Sequence, residues 1–182
     1  MDALELLTGR RSCAALKAPA PDGEALEIIL KAALRVPDFQ GLRPYEFILA
    51  KDEGLDRLGE LLQQAAVASG QPPENVERAP KMPRRAPLVI IVVARVRESV
   101  VVKLLEQRLT AGCAVMAMQM AAVALGFRGI WRSGWPMFDR GLHEALGLGP
   151  DDQIVGFLYL GTPIKFPGPA APVDAHDYVR WL

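Results

Sequence analysis

The sequence is poor in the residues that most often announce chemistry. It has two cysteines, Cys13 and Cys113, and two histidines, His143 and His176. The cysteines lie far apart and form no CxxC pair, so neither a disulfide framework nor a zinc site is indicated. There is no HExxH, and no grouping of His, Cys and carboxylates reads as a metal site. The GxxxxGK[ST] phosphate loop, the GxSxG nucleophile elbow and the GxGxxG fingerprint are also missing, which removes the usual support for kinase, hydrolase and Rossmann dehydrogenase readings. Neither sign of charge is in excess: 21 Lys plus Arg balance 21 Asp plus Glu. No whole-molecule field favours nucleic acid or an anionic membrane, so any anion must be bound locally. The most apolar stretches, 88–94 and 113–127, fall short of the roughly 20 residues that span a bilayer. No membrane partner is expected. The opening residues, with Asp2 and Glu5, lack the basic start and apolar core of a signal peptide, and the chain reads as cytoplasmic.

What is present is enough apolar residue, 51% of 182, to bury the core of one domain over 1–182. A short helix carrying Leu4, Leu6 and Leu7 ends near Gly9 and puts Arg10, Arg11 and Ser12 at an exposed corner. Asp22 caps a second helix that runs to Pro37. Tyr45 to Ala50 reads as a strand and Leu55 to Ala68 as an amphipathic helix. The polar, proline-rich run from Gly70 to Pro87 is a candidate lid, flap or short helix. Leu88 to Ala94, dense in β-branched residues, reads as a central strand buried on both faces. A long helix from about Val101 to Gly126 is apolar nearly all round, which requires cover on every side and points to a second subunit. Gly129 to Ser133 is a short strand, Asp139 to Leu146 a capped helix, and Ile154 to Leu160 another strand. The tail, 163–182, is extended and suited to wrapping a partner.

Two basic clusters stand out, each with a hydroxyl beside it: Arg10-Arg11-Ser12 and Arg132-Ser133, the latter straight after Trp131. Guanidinium groups grip phosphate through paired hydrogen bonds, and a serine hydroxyl fills a remaining lone pair. Solvated surface arginines are the competing reading for either cluster alone. Cys13 reads as a small space-filling residue more readily than as a reactive thiol, and Cys113 still more so. Met116, Met118 and Met120 read as core or interface packing. His143, behind Asp139, reads as a surface or capping residue, and Trp131 as core packing.

Four segments go beyond pattern: DALELLTGRRS at the start, RVPDFQGLRPYEF (35–47), AGCAVMAMQMAAVALGFRGIWRSG (111–134) and IVGFLYLGTP (154–163). In this order and spacing they resemble short bacterial members of the flavin-dependent nitroreductase family, nearly end to end. The resemblance implies an α+β fold, a three-layer sandwich with a central mixed sheet flanked by helices, in an intertwined homodimer. It implies FMN at the subunit interface, with NADH or NADPH as reductant and a small oxidised organic acceptor such as a nitroaromatic or quinone. Arg10, Arg11 and Ser12 match the family's N-terminal flavin motif, and Trp131, Arg132 and Ser133 the segment near the flavin phosphate. Arg35 and Phe39 match positions supplied across the dimer, and Ala121, Ala122, Val123, Ala124, Leu125 and Gly126 a stretch assigned to the nicotinamide cofactor. No side chain is assigned as acid, base or nucleophile, because the flavin ring carries the redox chemistry. Phe39, Arg43 and Tyr45 depart from the histidine, glutamine and tryptophan usual at their positions. The alternatives are a flavin-sequestering module, a different redox reaction on the same fold, and a flavin-free dimeric interaction protein.

Overall fold

The computed structural model of the chain describes residues 2–182. Helix α1 (Ala3–Gly9) begins at Asp2, whose carboxylate accepts from the Leu4 N–H, while the Glu5 carboxylate accepts from the Asp2 N–H. This reciprocal cap fixes where the helix starts. A two-residue strand, β1 (Leu16–Lys17), precedes α2 (Gly23–Ala33), which starts at Asp22 as expected and buries Ile29 and Ala33. Then come β2 (Glu46–Lys51), α3 (Glu53–Ala68), α4 (Pro73–Arg78), β3 (Leu88–Ala94), α5 (Leu104–Ala124), β4 (Arg128–Arg132), α6 (Arg140–Ala145) and β5 (Gln153–Pro163).

Every residue of β3 is buried, so the β-branched run is the central strand its composition indicates. Its side chains alternate between two cores. Val89, Ile91 and Val93 meet Leu55, Leu58, Leu62 and Leu142 from α3 and α6 on one face. Leu88, Ile90 and Val92 meet Ile29, Ala111, Ala114, Val115 and Met118 from α2 and α5 on the other. The result is an α+β arrangement of three layers, with helices on both faces of the sheet.

The expected mixed sheet is corrected by the pairings. Each of them, β2 with β3, β3 with β5, β4 with β5 and β1 with β5, is antiparallel among the described residues. Two features of the chain path account for this. A lone crossover helix after β2 would return the chain as a parallel neighbour. Here the segment that follows α3 brings it back a second time, so Lys51 at the end of β2 pairs with Leu88 at the start of β3. Strands β3 and β4, joined by α5, do run in the same direction, but β5 lies between them.

The run from Gly70 to Pro87 holds a short helix, one of its three readings. Pro73 starts α4 in the first turn, where its missing N–H costs nothing. Two 3-10 turns follow, at Ala79–Lys81 and Pro83–Arg85, and bury Ala79 and Pro83. Gly59 on α3 allows the approach, since a Cβ there would lie 2.4 Å from the Pro80 carbonyl oxygen.

Within one chain, helix α5 is covered on one side only. Ala111, Ala114, Val115, Met118, Ala122 and Val123 are buried. Leu105 and Leu109 are 66% and 60% exposed, with Met116 and Cys113 on the surface as well. The tail beyond Pro163 is extended except for a 3-10 turn at Ala175–Tyr178. His143, read as a surface or capping residue, is buried instead. One ring nitrogen lies 2.7 Å from Arg140 Nη1 and the other 2.9 Å from the Met137 carbonyl. Burial holds it below the usual histidine range, and the nearby Arg140 charge adds to that against the Met137 hydrogen bond.

Candidate functional site

The first basic cluster follows the end of α1. Arg10 closes the helix, its N–H donating to the Leu6 carbonyl at 3.2 Å. The chain then meets β4, with Cys13 N–H donating to Gly129 O at 2.9 Å. Arg10 and Arg11 line a cavity of about 180 Å³ with Val123, Arg128 and Phe166. The two arginines differ in how they are held. Arg11 Nη1 donates to the carbonyls of Gly168 and Pro169 in the tail. Arg10 Nη1 is buried with no hydrogen-bond partner. Ser12 is exposed beside them.

The second cluster ends β4. Arg132 lies with its guanidinium carbon 5.4 Å from the Tyr159 ring centroid, and its Nε is buried without a partner. Trp131, Arg132 and Ser133 line a cavity of about 360 Å³ whose far wall is Asn75, Arg78, Met82 and Arg85. Three arginines and no carboxylate face this space. The charge has a visible effect on Tyr159: burial pushes its hydroxyl above the ordinary range, and Arg132 and Arg85 draw it partly back. Arg84, next along the chain, turns away into an ion pair with Asp56.

Sequence reasoning missed Asn75, Arg78 and Arg85, because a polar, proline-rich run carries no periodicity to place them. The available signal was Pro72-Pro73, a helix start that puts Asn75 and Arg78 three residues apart and so near each other on one side of α4.

Trp131 is held firmly for a side chain 39% exposed. Its Nε1–H donates to Val155 O at 3.1 Å. The pairing of β3 with β5 shifts at Val92/Val93, leaving Val155 as an extra residue. Such a bulge re-aims side chains next to functional sites. It sets Gly156 beneath the indole so closely that a Cβ there would lie 1.9 Å from Nε1.

Arg35 and Phe39 are placed elsewhere, past the end of α2. Phe39 is exposed in a 3-10 turn at Phe39–Gly41, and Arg35 lines an open groove with Arg43 and Tyr45. Neither shares a cavity with Arg10, Arg11 or Arg132 in one chain. Ala121 to Gly126 closes α5. Gly126, at φ 90°, takes the left-handed position. Phe127 N–H then reaches Ala122 O at 2.9 Å and Gly126 N–H reaches Val123 O at 3.0 Å. This pair of hydrogen bonds is the common glycine-terminated helix end. Ala122 and Val123 are buried, while Ala124, Leu125 and Gly126 are exposed.

The unpaired nitrogens of Arg10 and Arg132 tell most about chemistry. A buried donor left unsatisfied costs about 1–3 kcal/mol, and more when charged, so both positions are suited to a ligand oxygen. Among the described residues no helix is long and apolar enough to cross a membrane.

Comparison with known proteins gives the family. The family model described as "Nitroreductase family" matches residues 7–162. The chain is 51% identical over 163 residues to "Putative NAD(P)H nitroreductase YdjA" of Escherichia coli K12, covering 90% of this chain and 89% of that one. It is 40% identical to "Putative NAD(P)H nitroreductase" of Haemophilus influenzae across the full length of both. Among solved structures, a nitroreductase-like family protein from Bacillus cereus superposes with a TM-score of 0.85 at 19% identity, covering 100% of this chain and 96% of that one, which speaks for the fold alone. The chain belongs to the nitroreductase family of oxidoreductases.

Proposed function

We propose that the protein is an FMN-dependent oxidoreductase that moves reducing equivalents from NADH or NADPH to a small oxidised acceptor, a nitroaromatic or quinone. The observation that carries this reading is that two of the three buried, unpartnered guanidinium nitrogens among the described residues, Arg10 Nη1 and Arg132 Nε, fall one in each cluster that the sequence singles out; the third, Arg108 Nε, lies outside both. The names of relatives support it: the Escherichia coli protein is called "Putative NAD(P)H nitroreductase YdjA", and a Desulfovibrio desulfuricans structure of the same fold was determined with FMN.

The residues divide the work as follows. Arg10 with Ser12, and Arg132 with Ser133, would hold the phosphate and ribityl oxygens from two cavities that are separate in one chain, and Arg78 and Arg85 would add positive potential beside Arg132. Trp131 walls the cavity. Hydride exchange between a reduced nicotinamide and an acceptor is the chemistry the isoalloxazine ring supplies when bound. The protein then needs no general acid, base or nucleophile, and we assign none. Arg35 and Phe39 complete the pocket from a second copy of the chain, and Ala121 to Gly126 lie on the nicotinamide side.

The homodimer belongs to the same proposal. The exposed stripe of Leu105, Leu109 and Met116 on α5 favours it, as do Tyr178 and Trp181 in the tail, 80% and 88% exposed. A cytoplasmic setting, where reduced nicotinamides are kept, completes the reading.

The test is FMN retention after dialysis. Arg10→Ala combined with Arg132→Ala weakens FMN binding by about 100-fold or more, taking about 1.5–3 kcal/mol for each hydrogen bond to a charged group. The far-ultraviolet spectrum stays unchanged. Retention equal to the wild type removes the phosphate assignment. A protein that holds FMN but does not turn over a nicotinamide is instead a flavin-sequestering module.

A further inference from the structure

The cavity at the end of β4 holds more positive charge than the flavin contacts use. Its far wall carries Arg78 and Arg85, across from Arg132 and Ser133, and its volume of about 360 Å³ is that of a small-ligand pocket. Arg78, Arg85 and Arg132 take part in none of the ion pairs among the described residues. The acids nearest in sequence do not neutralise them. Glu74 and Glu77 are exposed on α4 and neither lines the cavity, while Asp56 is taken by Arg84.

One FMN phosphate does not need all of this charge. Arg10, Arg11 and Arg128 already surround the other cavity, where Arg10 Nη1 is left without a partner. The bond from Cys13 N–H to Gly129 O sets that corner beside one end of β4. Arg132 stands at the other end, about 10 Å along the strand at about 3.3 Å per residue, and Arg78 and Arg85 lie across the cavity from it. Both are carried on a segment packed against α3 through Pro80 and Gly59, which holds them in place. Like charges facing one space repel, and a bound anion reverses that cost.

We infer that Arg78 and Arg85 hold the 2′-phosphate of NADPH and make the protein prefer NADPH to NADH. The inference rests on the proposed function in taking a reduced nicotinamide as hydride donor, and it names which one. The two dinucleotides differ only by that phosphate, which sits on the adenosine ribose, remote from the nicotinamide ring that reacts. Its holder therefore need not touch the flavin ring. Guanidinium groups suit it, since each presents a fork of N–H donors to phosphate oxygens. Met82 and Trp135, which also line the cavity, offer apolar surface to the adenine.

Adenosine 2′,5′-bisphosphate and adenosine 5′-monophosphate are the probes, since they differ by the same phosphate and carry nothing to oxidise. Each is titrated calorimetrically into the FMN-loaded full chain, in which the flavin phosphate position is filled. In parallel, kcat/KM is measured with NADPH and with NADH. Arg85→Gln, at a half-buried position, lowers the bisphosphate-to-monophosphate and NADPH-to-NADH ratios about fivefold, and exposed Arg78→Gln lowers them about threefold, the scale of partly exposed ion pairs. In the wild type the two contacts together give ratios of about fifteen. Arg85→Lys, which keeps the charge and loses the fork, recovers part of the loss. Arg84→Gln, at the side chain that faces Asp56 instead, leaves both ratios as they are.

The inference is overturned if the wild type binds the two adenosine phosphates equally, or if Arg78→Gln and Arg85→Gln leave both ratios unchanged. It is overturned as well if Arg84→Gln lowers the ratios as much as Arg85→Gln does, since the preference is then a general effect of surface charge. Failure of the flavin reading looks different: the chain retains no FMN and neither nicotinamide bleaches it, while the bisphosphate still outbinds the monophosphate and Arg85→Gln still narrows the difference.

Discussion

Replacing Gly156 by alanine tests how the bulge in β5 positions the site. A Cβ at 156 would lie 1.9 Å from Trp131 Nε1 and 2.5 Å from Cδ1, far inside contact distance, so the indole must move. Its far edge faces Gly112 on α5, where even an added Cβ would be in ordinary contact at 3.7 Å, so the ring can shift at a cost. Moving the ring breaks the bond from Nε1–H to Val155 O, worth about 0.5–1.5 kcal/mol, and overpacking adds about 1–3 kcal/mol. Trp131 is partly exposed and can yield outward, which argues for the lower part of each range. The expected loss is therefore about 2 kcal/mol, or a fall in Tm of about 4–8 °C for a domain of this size. FMN retention falls with it, since the displaced indole opens the cavity beside Arg132. Gly112→Ala is the control. Its Cβ makes an ordinary contact, and alanine is about 1 kcal/mol better than glycine inside a helix, so stability holds or rises. Thermal unfolding and tryptophan fluorescence of both variants decide the matter. If Gly156→Ala matches the wild type in Tm and emission, the close packing of Trp131 over β5 is wrong.

Three further outcomes follow, one from the site and two from buried side chains away from it. Arg10→Ala weakens FMN retention more than Arg11→Ala, because Arg11 already serves the Gly168 and Pro169 carbonyls while Arg10 Nη1 has no partner; equal losses would contradict this. Burial lowers the pKa of His143 in the fold below its unfolded value, so the stability it contributes is present above about pH 6.5 and declines as pH falls below it. His143→Gln removes that decline below about pH 6.5 in denaturant titrations, and an unchanged pH profile would refute it. Asp152 is buried and accepts from Val96 N–H, Gly149 N–H and Arg95 Nη1 at 2.8, 2.7 and 2.8 Å. Burial alone would raise its pKa, and those three donors together outweigh it and lower it. Asp152→Ala costs about 2–4 kcal/mol by leaving them unpaired, whereas a cost below about 1 kcal/mol would show that water replaces the carboxylate.

Much of the architecture was legible because the chain obeys simple periodicities where its core is large. The Leu88–Ala94 run had to be central, and Asp22 and Asp139 act as the helix caps they read as. The segment from Gly70 to Pro87 was not legible. It is held by small residues, Ala79, Pro83 and Gly59, packed backbone against backbone, and such packing leaves no apolar stripe. The cationic wall of Arg78 and Arg85 was hidden for the same reason. Strand β1 also escaped notice, since two residues make no pattern, and its pairing with Thr162 and Pro163 is what carries β5 past Leu160. Of the candidate site, the arginine clusters could be read directly. Which arginine is spent on the tail and which is left unpaired depends on where 163–169 lies, and that is a tertiary fact. Burial of His143 likewise depends on the carbonyl of Met137 in the turn before α6.

The central claim is best tested by the visible absorbance spectrum of the purified chain incubated with FMN, gel-filtered, and then mixed with NADPH or NADH in the absence of oxygen. The account predicts flavin bands that co-elute with the protein, bleach on adding the nicotinamide, and return when a nitroaromatic or quinone is supplied. A chain that elutes colourless would contradict the assignment of Arg10 and Arg132 to a flavin phosphate.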